Sequence, residues 1–270
     1  MGRIIAVANQ KGGVGKTTTA VNLSAALAAS GKKVLLVDMD PQGNASSALG
    51  MSVGREERTI YHVLIGKAEA SEVVRESETF GLSVLPSNTQ LTGAEVELVG
   101  TFSRETHLKR ALEPLKSLFD VIVLDCPPTI GLLTVNALTA AEGVLIPLQC
   151  EYYALEGVSH LLETIRLVQA SLNPALQIDG IVLTMFDSRN NLSRQVIKEV
   201  REHFAGWVYE TVIPRNVRLS EAPSYAKPIT EYDPSSRGAQ AYVALAKEWI
   251  ARHVSSKLKS NSLSQPTQSL

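Results

Sequence analysis

Six apolar runs of strand length alternate with helical patterns along this chain, and that alternation constrains its fold more than any other feature. The runs are IIAVA (4–8), KVLLVD (33–38), LSVLP (82–86), DVIVLD (120–125), GVLIPLQ (143–149) and IDGIVLTMF (178–186). They are rich in Val, Ile and Leu without polar alternation, as expected of strands buried on both faces of a sheet. Helical patterns lie between and after them, at 17–30, 103–118, 155–172, 192–204 and 236–254. Strands alternating with helices imply βαβ units, so the expected fold class is α/β, a doubly wound, mostly parallel sheet flanked by helices. No internal repeat or second fold interrupts the pattern, and residues 1–254 read as one domain. The stretch 255–270, SSKLKSNSLSQPTQSL, is polar and rich in Ser and Gln, and reads as a disordered tail.

The first run leads into NQKGGVGKTTT (9–19). A strand, a glycine loop and a helix opening at Lys16-Thr17 form the context a phosphate-binding loop requires. Gly12, Gly13 and Gly15 permit unusual backbone angles and close approach, so successive N–H groups, that of Val14 included, can point at phosphate oxygens. The helix that follows adds the positive end of its dipole. Lys16 would neutralise β- and γ-phosphate charge, the Thr17 hydroxyl would ligate Mg2+, and Thr18 would reach the α-phosphate.

Composition sets bounds on everything else. A formal net charge of −1 means that any affinity for nucleic acid must come from a local patch. Cys126 and Cys150 form no CxxC pair, which excludes a disulfide scaffold or a zinc ribbon. Five scattered histidines offer no metal-binding spacing. Met1-Gly2-Arg3 runs straight into the first strand without a signal peptide. The most apolar region, 121–149, is interrupted by Asp125, Pro127, Pro128, Asn136 and Glu142, so no membrane span is expected. A cytoplasmic protein is the expectation.

Carboxylates follow two further strands. Asp38 and Asp40, in VDMDPQGNAS, stand at the carboxyl end of a strand, where ligands bind in parallel sheets. DVIVLDCPP (120–128) is a Walker B pattern whose Asp125 should hold Mg2+ through water, with Pro127 and Pro128 stiffening the next loop.

The simple loop motif wants glycine six residues before its lysine, and this chain has Gln10 there, followed by Lys11. In that departure KGGVGKT resembles the deviant Walker A loop of the ParA/MinD family of P-loop ATPases. The resemblance implies an ATP-dependent homodimer in which Lys11 crosses the interface to the partner's nucleotide, as an arginine finger would. DMDPQGN resembles the family's first switch, which implies that Asp40 places the attacking water and that Asp38 supports Mg2+ through water. Gln42 and Asn44 share that loop without assigned chemistry. VIPRNVRLSEAPSYAKPI (212–229) resembles the region that holds adenine, which makes Pro214 and Asn216 base-binding candidates. Met185 to Asp187 could line the same pocket.

The segments 147–158, 185–196 and 213–229 are similar to the chromosomal ParA/Soj branch, and the resemblance covers nearly all of 3–250. It implies an Mg-dependent ATPase that binds double-stranded DNA without sequence preference, on the nucleoid, and is triggered by a ParB-type partner. Charge makes a DNA surface plausible: Arg189, Arg194, Lys198, Arg201, Arg215 and Arg218 outnumber Glu199, Glu202 and Glu210 across 189–218. Arg194, Lys198 and Arg201 share a helical face by spacing. Lys227, Arg237 and Arg252 are outer candidates. A MinD-like ATPase positioning a partner at the membrane is the alternative, but the tail's Leu258, Leu263 and Leu270 among polar residues make too small an apolar face. An iron–sulfur electron carrier of nitrogenase-reductase type is disfavoured because Cys126 sits in DCPP and Cys150 ends a strand.

Overall fold

The structure, a computed structural model, describes residues 2–151 and 154–262. Eight strands form one sheet: β1 Arg3–Val7, β2 Val34–Asp38, β3 Arg75–Glu76, β4 Leu82–Leu85, β5 Val121–Asp125, β6 Gly143–Gln149, β7 Gln177–Phe186 and β8 Val208–Pro214. Their order is β3-β4-β2-β5-β1-β6-β7-β8. Every neighbouring pair is parallel except β3 with β4. The longer helices are α1 Lys16–Ala29, α2 Leu132–Ala140, α3 Ala154–Ser171, α4 Asn191–His203 and α5 Arg237–Ser262.

Apolar side chains of β1 alternate between two cores. Ile4 and Ala6 face the layer built with α2, α3 and α4, while Ile5 and Val7 face the layer built with α1 and α5. Each fully buried Leu or Ile contributes about 1.5–3 kcal/mol by removal from water. This two-sided burial is why the strands read as unbroken apolar runs. It also explains α1, in which Thr19 through Ala28 are all buried: its far side is covered by α5.

β1 lies between β5 and β6, and the chain crosses outward from it in both directions, which puts the loop after β1 at a topological switch point. Six strands match the apolar runs. β3, only two residues long, and β8 do not: the alternating sequence of β8, VYETVIP, lies at the sheet edge and carries Glu210 outward.

Two helical expectations change. The helix expected at 103–118 is three short pieces, with α-helix only at His107–Leu112 and 3-10 turns at Arg104–Thr106 and Pro114–Ser117. Pro114 has no N–H to continue an α-helix and opens the last turn instead. α5 continues past Val254 to Ser262, into the stretch read as a tail, since no Gly or Pro interrupts 255–262. The remainder of that tail, 263–270, lies outside the described residues.

Candidate active site

The carboxyl ends of β1, β2 and β5 bring the sequence candidates together. Asp38 and Asp125 are register partners on adjacent parallel strands, and Asp125 is also the register partner of Val7, two residues before the glycine loop. Gly15 adopts φ 87 to start α1, a left-handed conformation that favours glycine. A Cβ added at Gly12 or Gly13 would meet nothing within 4 Å, so the loop presents open backbone on this face.

Lys16 is buried, and its Nζ donates to the carbonyl oxygen of Lys11 at 3.2 Å. Burial lowers its pKa, opposed by the charge of Asp125 and more weakly by Asp40. The Lys11 side chain is half-exposed, with Nζ 3.2 Å from Glu151 Oε2. Two tethers fix the loop. Asn9 Nδ2 donates to Pro147 O at 2.7 Å while its Oδ1 accepts the Lys11 N–H, and Thr184 Oγ1 donates to Val14 O at 2.8 Å.

The two strand-end carboxylates differ in their partners. Asp38 accepts from the Asp40 and Ser46 N–H groups and from Ser46 Oγ at 2.7 Å, yet burial still pushes its pKa up to about 6. Asp125 is fully buried and neither oxygen accepts a hydrogen bond of normal geometry, although the Thr17 hydroxyl stands beside it. Burial and the nearby Asp38 charge push its pKa well up. A buried carboxylate without donors is costly unless a cation completes it.

Asp40 Oδ1 accepts the Gln42 N–H at 2.9 Å, and its carbonyl accepts Ser87 Oγ at 2.8 Å. Ser46 Oγ also accepts the Ser87 N–H. Gly43 at φ 66 is required here twice over, since a Cβ would stand 2.9 Å from Ser87 O. Gln42 accepts from Asn44 Nδ2 within the same loop.

A cavity of about 290 Å³ opens beside the loop. Pro214, Asn216 and Met185 line it, as do Gly15 and Thr18 from the loop and, unforeseen, Thr184, Arg215 and Tyr242. Asp187 is not among its lining residues; it pairs with Arg189 instead. Asn216 caps the short helix Val217–Glu221 through its Oδ1, which leaves the amide N–H groups for a ligand. Met185 sits at φ 53, a left-handed conformation rarely seen outside Gly, Asn and Asp.

Phosphates fit the open glycine backbone and Lys16, and a planar base fits the adjoining cavity. Among the described residues no three His, Cys, Asp or Glu side chains converge on a metal position. A divalent ion here would therefore take phosphate oxygens, the Thr17 hydroxyl and water, with Asp125 behind them, which suits Mg2+. Both cysteines are buried, and burial pushes the Cys150 thiol up to about 12 and the Cys126 thiol higher still, so neither is poised as a cluster-binding thiolate.

The basic candidates are exposed but mostly paired. Arg189 bonds Asp187 through two nitrogens, Lys198 lies 3.9 Å from Glu202, and Arg218 bonds Glu221 at 2.9 Å with Asp233 at 3.5 Å. Arg194 donates to Ser188 O. Arg201 does not present its charge beside Arg194 and Lys198. It is half-buried and drawn to Glu210 of β8.

Strand, glycine loop, helix and strand-end carboxylates together define a P-loop nucleotide hydrolase. The AAA domain family model matches residues 2–178. The sporulation initiation inhibitor protein Soj of Bacillus subtilis is 60% identical over 251 residues, 93% of this chain and 99% of that protein. The chromosome partitioning protein ParA of Myxococcus xanthus is 55% identical over 93% of this chain and 89% of its own length. Among solved structures, cobyrinic acid a,c-diamide synthase from Mycobacterium smegmatis with bound ADP and magnesium superposes with TM-score 0.83 at 41% identity, covering 95% and 97% of the two chains. The chain belongs to the ParA/Soj family of chromosome-partitioning ATPases. It is a P-loop ATPase whose donor set fits ATP and Mg2+. No described helix is long and apolar enough to cross a membrane.

Proposed function

We propose that this chain is a nucleotide-gated DNA-binding switch for chromosome or plasmid segregation, resident in the cytoplasm on the nucleoid. ATP closes a homodimer, the dimer binds double-stranded DNA without sequence preference, and hydrolysis stimulated by a ParB-type partner resets it. Lys16 holds the β- and γ-phosphates, the open backbone of Gly12 to Gly15 surrounds them, and Thr18, Pro214 and Asn216 hold the rest of the nucleotide. Bound Mg2+ would neutralise phosphate charge as the transition state develops. Thr17 would hold it directly, with Asp125 and Asp38 supporting it through water. Asp40, with one oxygen engaged by Gln42, keeps the other for the attacking water. Lys11 is exposed enough to leave Glu151 and reach a partner's nucleotide.

One observation carries the coupling of nucleotide to DNA. The two loops that line the base cavity also carry the arginines: Met185 leads to Arg189, and Pro214, Arg215 and Asn216 lead to Arg218. The Arg215 N–H donates to Phe186 O at 2.9 Å, so the loops are joined. Phosphate contacts from such arginines position DNA without reading sequence. Charge reversal tests this: Arg189→Glu with Arg218→Glu should abolish binding to duplex DNA while ATP affinity stays within a few-fold. Retained DNA binding would refute the assignment.

A further inference from the structure

At the end of the sheet away from the phosphate loop, a cavity of about 680 Å³ opens at the amino ends of β1, β2 and β5 against the later turns of α5. That volume is in the range of small-molecule sites. Its lining carries four cations, Arg3, Lys32, Lys33 and Lys116, against one carboxylate, Asp120. Two cations are committed: Arg3 pairs with Asp179 at 2.9 Å and Lys116 with Glu142 at 2.7 Å. Lys32 and Lys33 make no ion pair with a carboxylate among the described residues. Arg3 Nε is buried and donates to nothing, an arrangement that folded proteins normally avoid.

The other side of the cavity is apolar. Leu118 and Val254 are 57% and 53% exposed there, flanked by Ile250 and Phe119. Two lysines without an ion pair among the described residues on one wall and wetted hydrocarbon on the other define a complement: an anionic head on an apolar body. We propose that this cavity binds a small amphipathic anion, a phosphate or carboxylate carried on an aromatic or aliphatic body. Lys32 and Lys33 face the head, while Leu118 and Val254 cover the body. None of these residues belongs to the nucleotide site, so the two sites fill independently.

Calorimetry on the full chain saturated with ADP and Mg2+ tests this with 1-naphthyl phosphate and 1-naphthoate as probes. The expected result is one site per chain for at least one probe, with inorganic phosphate and 1-naphthol each at least tenfold weaker. Lys32→Gln with Lys33→Gln should weaken the probe at least tenfold while melting temperature and ADP affinity stay unchanged. Leu118→Ser should weaken it separately. Phosphate as the better head would point to a phosphorylated ligand, and carboxylate to an organic acid. No binding of either probe at millimolar concentration, equal binding by the lysine variant, or displacement of ADP would overturn the proposal.

Discussion

Lys11 Nζ lies 3.2 Å from Glu151 Oε2, joining the phosphate loop to the segment that follows β6. Both side chains are substantially exposed, so the pair contributes only about 0.2–1 kcal/mol and can be exchanged for a stronger partner. The same residue's carbonyl accepts from Lys16, and that contact needs no Lys11 side chain. Lys11→Ala should therefore leave the thermal midpoint within about 3 °C and nucleotide affinity within a few-fold. It should abolish ATP-dependent dimerisation, measured by light scattering in ADP and in ATP. A variant that still dimerises would remove Lys11 from the interface.

Gly12 provides a steric counterpart. A Cβ there meets nothing within 4 Å in the single chain, so Gly12→Val should fold with unchanged stability. Its side chain would stand in the open face of the loop. Expected is retained ADP binding with loss of the ATP dimer; a destabilised monomer would show that the open face is not as described.

DNA affinity should depend steeply on salt. If the dimer engages about six phosphates, the log–log slope should lie near −5, from about −0.9 per phosphate. Arg189 and Arg218 must give up Asp187 and Glu221 to do so, and such exposed pairs resist weakly. A slope near zero in a salt titration by fluorescence anisotropy would exclude this patch as a phosphate surface.

Stability in acid should depend on Asp179. Burial raises its pKa, but His253 and Arg3 outweigh burial and hold it below the ordinary carboxylate range, with Trp249 Nε1 donating at 2.6 Å. For a depressed pKa, the stabilisation is fully present above the unfolded value, about 3.9, and is lost as pH falls through the folded value. Asp179→Ala should cost roughly 3–5 kcal/mol near neutral pH and flatten the stability curve below about pH 4. An unchanged acid limb in urea titrations would mean that other carboxylates govern it.

The chemistry that was legible in the sequence is local in the chain. Gly12 to Thr18 follow their strand directly, and Asp38 and Asp125 end theirs, so strand-end position alone brought them together. What was not legible depends on contacts far apart in sequence. Asn9 reaches Pro147, Thr184 reaches Val14, and Ser46 and Ser87 jointly fix the Asp38–Asp40 loop. None of these carries a motif. Arg201 shows the limit of spacing: its helical position matched Arg194 and Lys198, but β8, unread in the sequence, brings Glu210 to it. The charge of a residue was readable, and its partner was not.

The most direct measurement is binding to random-sequence duplex DNA by the chain in ADP, in ATP, and as Asp40→Ala in ATP. Asp40 is close to fully buried and its backbone N–H and carbonyl anchor the loop independently of the side chain, so the variant should bind ATP without turning it over. The account predicts tight, salt-sensitive binding in ATP only, prolonged in the variant. Equal binding in ADP and ATP, or binding in neither, would contradict a nucleotide-gated DNA switch.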